Sequence, residues 1–228
     1  MDTYLYLALT LILLTIWIVI ALMRPDLRRK MWRASIMGGI AGMLAELWYF
    51  TDYWRPPTLL GIAALSPEDI LIGFALAGVG MTIYDVLLRT TDVPGKNPRR
   101  IQFLFLFLAG FASLLIFSTW LGYNSCVVSE MVFAGAALIM VSIRYDLLRV
   151  SLISGLAMGL LGFAIYLVLF TWLAPHYWHT YWLLKDTTLG VMILDIPLTE
   201  IGWFISWGFL AGIAHNFAAG KIKKSILA

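Results

Sequence analysis

Apolar residues run along this chain in long, nearly unbroken blocks rather than in the two- or three-to-four-residue alternations of an amphipathic soluble fold. Seven blocks stand out, at about 3–22, 32–50, 68–88, 101–120, 127–143, 150–173 and 197–218. Each is close to the roughly 20 residues that a helix needs to cross about 30 Å of hydrocarbon. Helices are the expected form, because lipid offers nothing to bond an open backbone. The polar punctuation between blocks is short and carries most of the charge. The first block ends at Met23-Arg24-Pro25 without a small-residue cleavage site, so it reads as a retained helix rather than a removed leader.

The 228-residue composition agrees: 61% of residues are hydrophobic and 13% charged. A soluble domain could not hide that much apolar surface. A soluble enzyme and a nucleic-acid binder are excluded, and the net charge of +3 belongs to the loops. Every Lys and Arg except Arg55 and Lys185 falls in the first, third or fifth connection, in the opening turn of the block after the first (Arg33), or after the last block. By the positive-inside rule these basic segments are cytoplasmic, with the N-terminus outside and the C-terminus inside. The single cysteine, Cys126, rules out an internal disulfide.

A repeat is also visible. Gly38-Gly39-Ile40-Ala41-Gly42 in the second block matches Gly155-Leu156-Ala157-Met158-Gly159 in the sixth. Aligned on these glycines, Ile36 pairs with Ile153, Leu44 with Leu161 and Tyr49 with Tyr166. The bland account of such glycines is close helix contact. Each block is followed by an aromatic loop (Tyr53-Trp54 and Tyr177-Trp178), then by a proline and an acid that open the next helix: Ser66-Pro67-Glu68-Asp69 and Ile196-Pro197-Leu198-Thr199-Glu200. The expected architecture is an all-α integral membrane domain over 1–228. It has seven transmembrane helices in two parallel three-helix repeats, 1–93 and 124–220, joined by a linker helix within 94–123.

Acids inside a bilayer demand an account. Glu46, Glu68, Asp69, Glu130, Asp195 and Glu200 fall at one level, near the outer leaflet, with Trp48, Trp203 and Trp207. Asp69 and Glu200 could simply complement helix dipoles, and tryptophan is ordinary at an interface. Neither reading covers Glu46, at a helix C-terminal end. A deeper layer, Tyr84-Asp85 and His215-Asn216, lies about 24 Å of helix rise away and so serves other contacts. No dinucleotide fingerprint or phosphate loop is present. His176 and His179 read as an interfacial loop pair rather than metal ligands, so neither metal nor cofactor is expected.

These residues carry a resemblance. Glu46, the Tyr53-Trp54-Arg55-Pro56-Pro57 turn, Ser66-Pro67-Glu68-Asp69 and Ile196-Pro197-Leu198-Thr199-Glu200 resemble the heterodimer-type lycopene cyclases in their fused two-subunit form. Two departures stand out: the first proline sits one place late, and Thr199 replaces the first acid of the second motif. The resemblance implies a multi-pass cell-membrane isomerase that cyclises a linear carotenoid or isoprenoid end group by proton addition and loss. Glu68 and Asp69 would be the acid/base pair, with Glu200 and Glu46 beside them. Trp48, Trp203, Trp207, Arg55 and Thr199 would contact substrate, and partners would be the polyene and the bilayer, with no nucleic acid. A hydratase, a lipid or isoprenoid binder and a small transporter are the alternatives, and oligomeric state is left open.

Overall fold

The computed structural model describes residues 2–62 and 64–226. It is mostly helical. The helices are α1 (Thr3–Met23), α2 (Arg28–Asp52), α3 (Pro67–Leu87), α4 (Arg100–Leu114), α5 (Ser125–Ile143), α6 (Leu148–Tyr166), the short α7 (Tyr177–Tyr181) and α8 (Leu198–Ala219). Wider π-type turns extend α4 through Trp120 and α6 through Leu173. Five helical segments are long and apolar enough to cross a membrane: Thr3–Met23, Pro67–Leu87, Arg100–Trp120, Ser125–Ile143 and Tyr145–Leu173. The other two long helices, α2 and α8, coincide with the second and seventh apolar blocks but do not reach that apolarity. α2 begins earlier than its apolar block because Leu27 and Met31 are buried and draw the basic turn into the helix.

α2 packs on α3, and α6 on α8. The first contact is close because it is made by glycines: a Cβ added at Gly42 would lie 2.9 Å from the Gly73 Cα and 3.0 Å from the Asp69 carbonyl. α8 also lies against α5 and α3, so it joins the two helix pairs. α4 packs on the outside against α5 and α8 with no buried residue of its own.

At the end of the bundle reached by the C-termini of α3 and α8, two strands close the chain. β1 (Thr90–Pro94) pairs antiparallel with β4 (Lys221–Ser225), from Thr90 opposite Ser225 to Pro94 opposite Lys221. Gly220, in the left-handed region at φ 65°, ends α8 and turns the chain into β4. Two arginines bracket this layer alike. Arg24 bonds both oxygens of Asp26, the Asp85 carbonyl and the Thr90 carbonyl; Arg144 bonds both oxygens of Asp146, the Asn216 carbonyl and the Lys221 carbonyl. Five donors in a rigid fork suit such a junction.

Between the brackets lies a buried charge network. Lys30 pairs with Asp85 and, at 2.8 Å, with Asp92; Lys223 lies 2.8 Å from both acids. Asn216 donates to Asp92 at 2.9 Å and Thr90 to Asp85 at 2.7 Å. The deeper polar layer seen in the sequence therefore locks α2, α3, α8 and both strands together. Burial opposes ionisation of Asp92, but Lys30 and Lys223 outweigh it and hold its carboxyl below the usual carboxylate range.

Removing one partner of this network leaves uncompensated buried charge, which costs on the order of 3 kcal/mol or more. Asp85→Asn and Lys223→Met should each lower the unfolding temperature in detergent by several degrees. Because the folded Asp92 pKa is depressed, its stabilisation is fully present above about pH 4 and fades as pH falls below it. The gap in stability between wild type and Asp92→Asn should therefore be present at neutral pH and shrink as pH falls below about 4, which pH-dependent thermal scans would check.

Candidate active site

α3 starts at a capping box. Ser66 accepts from the Asp69 N–H at 3.3 Å, Asp69 accepts from the Ser66 N–H at 2.6 Å, and Pro67 takes the first helical position. Asp69 is thus fixed at the third helical position with one oxygen left over. Tyr6 of α1 donates to that oxygen at 2.6 Å. α8 starts differently. β2 (Met192–Ile193) and β3 (Ile196–Pro197) form a hairpin whose turn residues, Leu194 and Asp195, have φ of 52° and 61°. Pro197 then precedes the helix. The proline displacement between the two motifs is therefore a difference in capping, and Glu200 still falls at the third helical position. Glu200 accepts from Tyr53 on one oxygen and from Tyr166 on the other, the latter at 2.9 Å.

Asp69 and Glu200 line one cavity of about 120 Å³ together with Glu46 of α2. That is near the size of an apolar cavity of about 150 Å³ that admits benzene. Tyr6, Tyr49, Tyr53 and Tyr166 contribute hydroxyls; Trp54, Trp203 and Phe204 contribute ring faces; Leu9, Ile72 and Leu76 contribute aliphatic surface. Asp69 and Glu200 are each 5% exposed. Trp203 donates to the Tyr49 hydroxyl at 2.9 Å, and Tyr49 donates to Ser129 at 2.7 Å, fixing the wall where α2, α5 and α8 meet.

A cluster of aromatic rings backs the cavity at Trp54 and Tyr166. Trp54 and Trp182 form a bridge between the loop after α2 and the segment after α7, supported by Arg55 N–H to the Tyr181 carbonyl at 3.0 Å and Leu183 N–H to the Tyr53 carbonyl at 2.9 Å. Beneath it Phe170 stacks on Tyr177 at 4.5 Å, and Trp178 lies edge-on to Trp54 at 4.9 Å and to Tyr166 at 5.4 Å. All of these rings are buried.

The remaining residues expected at the site lie elsewhere. Glu68 is buried but turned to the loop before α3, where it accepts from the Leu59 N–H at 2.8 Å; its other oxygen has no partner among the described residues. One residue along a helix rotates the side chain by about 100°, so Glu68 cannot share Asp69's direction. Thr199 occupies the same second position of α8, also off the cavity. The missing second-motif acid therefore leaves the cavity's set of acids intact. Trp48 donates to Thr119 at 2.9 Å and faces α4, because it is the second residue after Glu46 and so lies on the opposite side of the helix. Arg55 is exposed and bonds the Phe50 and Thr51 carbonyls at the end of α2. Trp207 stacks on Trp203 at 6.1 Å and donates to the Leu76 carbonyl at 3.2 Å, one turn below the cavity. Glu130 is partly buried beside Cys126, whose thiol lies 3.6 Å away, and Asp195 is exposed in its hairpin turn.

Sequence pattern does not mark the tyrosines as site residues: Tyr49 and Tyr166 stand out only as a repeat pair, Tyr53 only as part of an aromatic loop, and Tyr6 not at all. A tyrosine in an apolar run reads as belt or core until its hydroxyl is seen to meet an acid. Among the described residues no group of His, Cys, Asp and Glu is placed to hold a metal ion.

Residues 123–218 match the family model described as lycopene cyclase. The lycopene cyclase match takes in α5, α6 and α8, and with them Tyr166, Glu200 and Trp203; Tyr6, Glu46, Tyr49, Tyr53 and Asp69 lie outside it. It supports a carotenoid cyclase-like function and an enzyme of the cyclase or isomerase kind, in a membrane protein. No curated protein and no solved structure matches the chain.

Each tyrosine hydroxyl on Glu200 is worth about 1–3 kcal/mol as a bond to an acid in a site shut off from water. Tyr53→Phe and Tyr166→Phe should each lower thermal stability, and both effects should largely vanish in a Glu200→Leu background. A double-mutant cycle would measure the coupling.

Proposed function

We propose that the chain is a lycopene cyclase-type isomerase of the fused two-subunit kind, acting on the end group of a linear polyene within the cell membrane. The observation that carries this is the convergence of Glu46, Asp69 and Glu200 on one aromatic-walled cavity, in a chain whose second half matches the lycopene cyclase family.

The chemistry follows from the lining. A carboxyl proton adds to the terminal double bond, whose π pair becomes the new C–H bond and leaves a tertiary cation. The next double bond attacks that cation, forming the ring bond and moving the charge to a ring carbon. A ring C–H then gives its proton to a carboxylate, and its electron pair becomes the ring double bond. The product is an isomer of the substrate, so no redox partner enters. Trp203, Trp54 and the tyrosine rings face the cation, each worth about 0.5–2 kcal/mol. The aromatic cluster keeps its side of the cavity free of water that would trap the cation as an alcohol, which favours cyclisation over hydration. The cavity takes one end group; the rest of the polyene leaves it past Trp203 and Trp207.

The topology belongs to the same reading: seven membrane crossings, with the N-terminus outside and the acid cavity near the outer leaflet. α2, about 37 Å long, and α8, about 33 Å, both exceed the hydrocarbon thickness. α2 exposes Trp32, Ile36, Met37, Ile40, Leu44 and Leu47, as a lipid-facing helix would. Two parallel repeats, 1–93 and 124–220, are supported by the matching arginine brackets and by Asp69 and Glu200 at equivalent helix positions. The register of the brackets pairs Glu46, rather than Tyr49, with Tyr166.

Expression in cells that accumulate lycopene should yield cyclised carotenes. Because both acids serve one centre, Asp69→Asn and Glu200→Gln should each cut product more than tenfold. About half the product surviving in either variant would indicate two independent centres, and lycopene left unchanged by the wild-type chain would overturn the reading.

A further inference from the structure

Building on that proposed reaction, we infer that Glu46 delivers the proton that starts cyclisation, while Asp69 and Glu200 are the carboxylates that receive the proton released from the ring.

The three acids share a cavity but not a hydrogen-bond supply. Asp69 accepts from Tyr6 and from the Ser66 N–H; Glu200 accepts from Tyr53 and Tyr166. Four donors thus point at these two carboxyls, and a lone pair already filled by a hydroxyl is the pattern of an acceptor. Glu46 differs. It lines the same cavity, yet among the described residues it makes no hydrogen bond and has no basic partner. Its O–H has no protein acceptor and is left facing the space where the end group lies. A proton so placed is free to go to a carbon π bond, which competes poorly with any oxygen acceptor.

The repeat supplies a second, independent reason. In the register of the arginine brackets, Glu46 stands where the second half has Tyr166, and Tyr166 donates to Glu200. One half presents an unpaired carboxyl at this helix position; the other presents a hydroxyl that secures an acceptor. The duplicated cavity therefore holds one donor acid rather than two. Glu46 also sits on α2 away from any cap, so its side chain is free to follow the substrate, whereas Asp69 is fixed in its capping box.

The step balances. The Glu46 O–H bond breaks and its proton joins the inner carbon of the terminal double bond through the π pair, leaving the tertiary cation at the outer carbon and Glu46 as carboxylate. The ring C–H proton passes to the Asp69–Glu200 pair, whose two charges together hold the cation, and that proton returns to Glu46 before the next turnover. No oxidant or co-reactant is consumed.

The test uses the full chain in lipid nanodiscs with lycopene, reading cyclised product by chromatography and polyene binding by its absorption band. Glu46→Gln should lose at least 100-fold in turnover while binding lycopene within about twofold of wild type, and Glu46→Asp should retain intermediate activity. Formic acid added to Glu46→Ala should restore turnover several-fold, since it supplies an undocked O–H to the vacated space. The same addition to Asp69→Asn or Glu200→Gln should restore nothing. Glu46→Gln cyclising within threefold of wild type, or formic acid rescuing Asp69→Asn and not Glu46→Ala, would overturn the assignment and leave the cyclase reading standing. A wild-type chain that binds lycopene but never cyclises it would overturn that reading, and this assignment with it.

Discussion

Carboxyl groups buried in an apolar bundle must be met by donors, and that requirement organises this molecule. Asp69 and Glu200 are satisfied by hydroxyls of Tyr6, Tyr53 and Tyr166, carried by α1, the end of α2 and α6. Those contacts draw three parts of the chain to the N-termini of α3 and α8. Beside them the loops after α2 and α7 pair through Trp54 and Trp182, and Trp54 lines the cavity. Phenols are suited to the task, because they donate to an acid without adding a charge that would itself need solvating.

The opposite end of the bundle solves the same problem by other means. There Lys30, Lys223, Asp85 and Asp92 neutralise one another, and two arginines tie the helix ends to the β1–β4 pair. Ion pairs give a rigid junction but leave no acid with a transferable proton. Hydroxyl-supported acids give a cavity in which one carboxyl, Glu46, is left uncommitted. The two polar layers, similar in residue type along the sequence, thus differ in form: one is a closed ion-pair network and the other an acid-lined cavity.

The two proline–acid helix starts serve one cavity rather than two. α3 and α8 bring equivalent third-position acids to the same space, and the close glycine contact of α2 with α3 admits Glu46 beside them. The second-position residues, Glu68 and Thr199, are turned away, so the divergence between the two motifs falls where the cavity does not feel it.

Length and apolarity of the blocks determined the helices, because a backbone in hydrocarbon has almost no alternative form. The acids and the proline–acid helix starts were equally legible, since charge within an apolar run stands out. Which of those acids meet, and which neighbours serve them, was decided only in three dimensions. Glu68 and Asp69 adjoin in sequence yet diverge by a helical rotation of about 100°, and Trp48 and Glu46 lie on opposed faces for the same reason. Tyr6 and Asp69 are 63 residues apart, and Tyr53 and Glu200 are 147 apart. Local pattern reports how a residue sits on its own helix; it carries no information on which distant hydroxyl will fill a lone pair, because that depends on how whole helices pack.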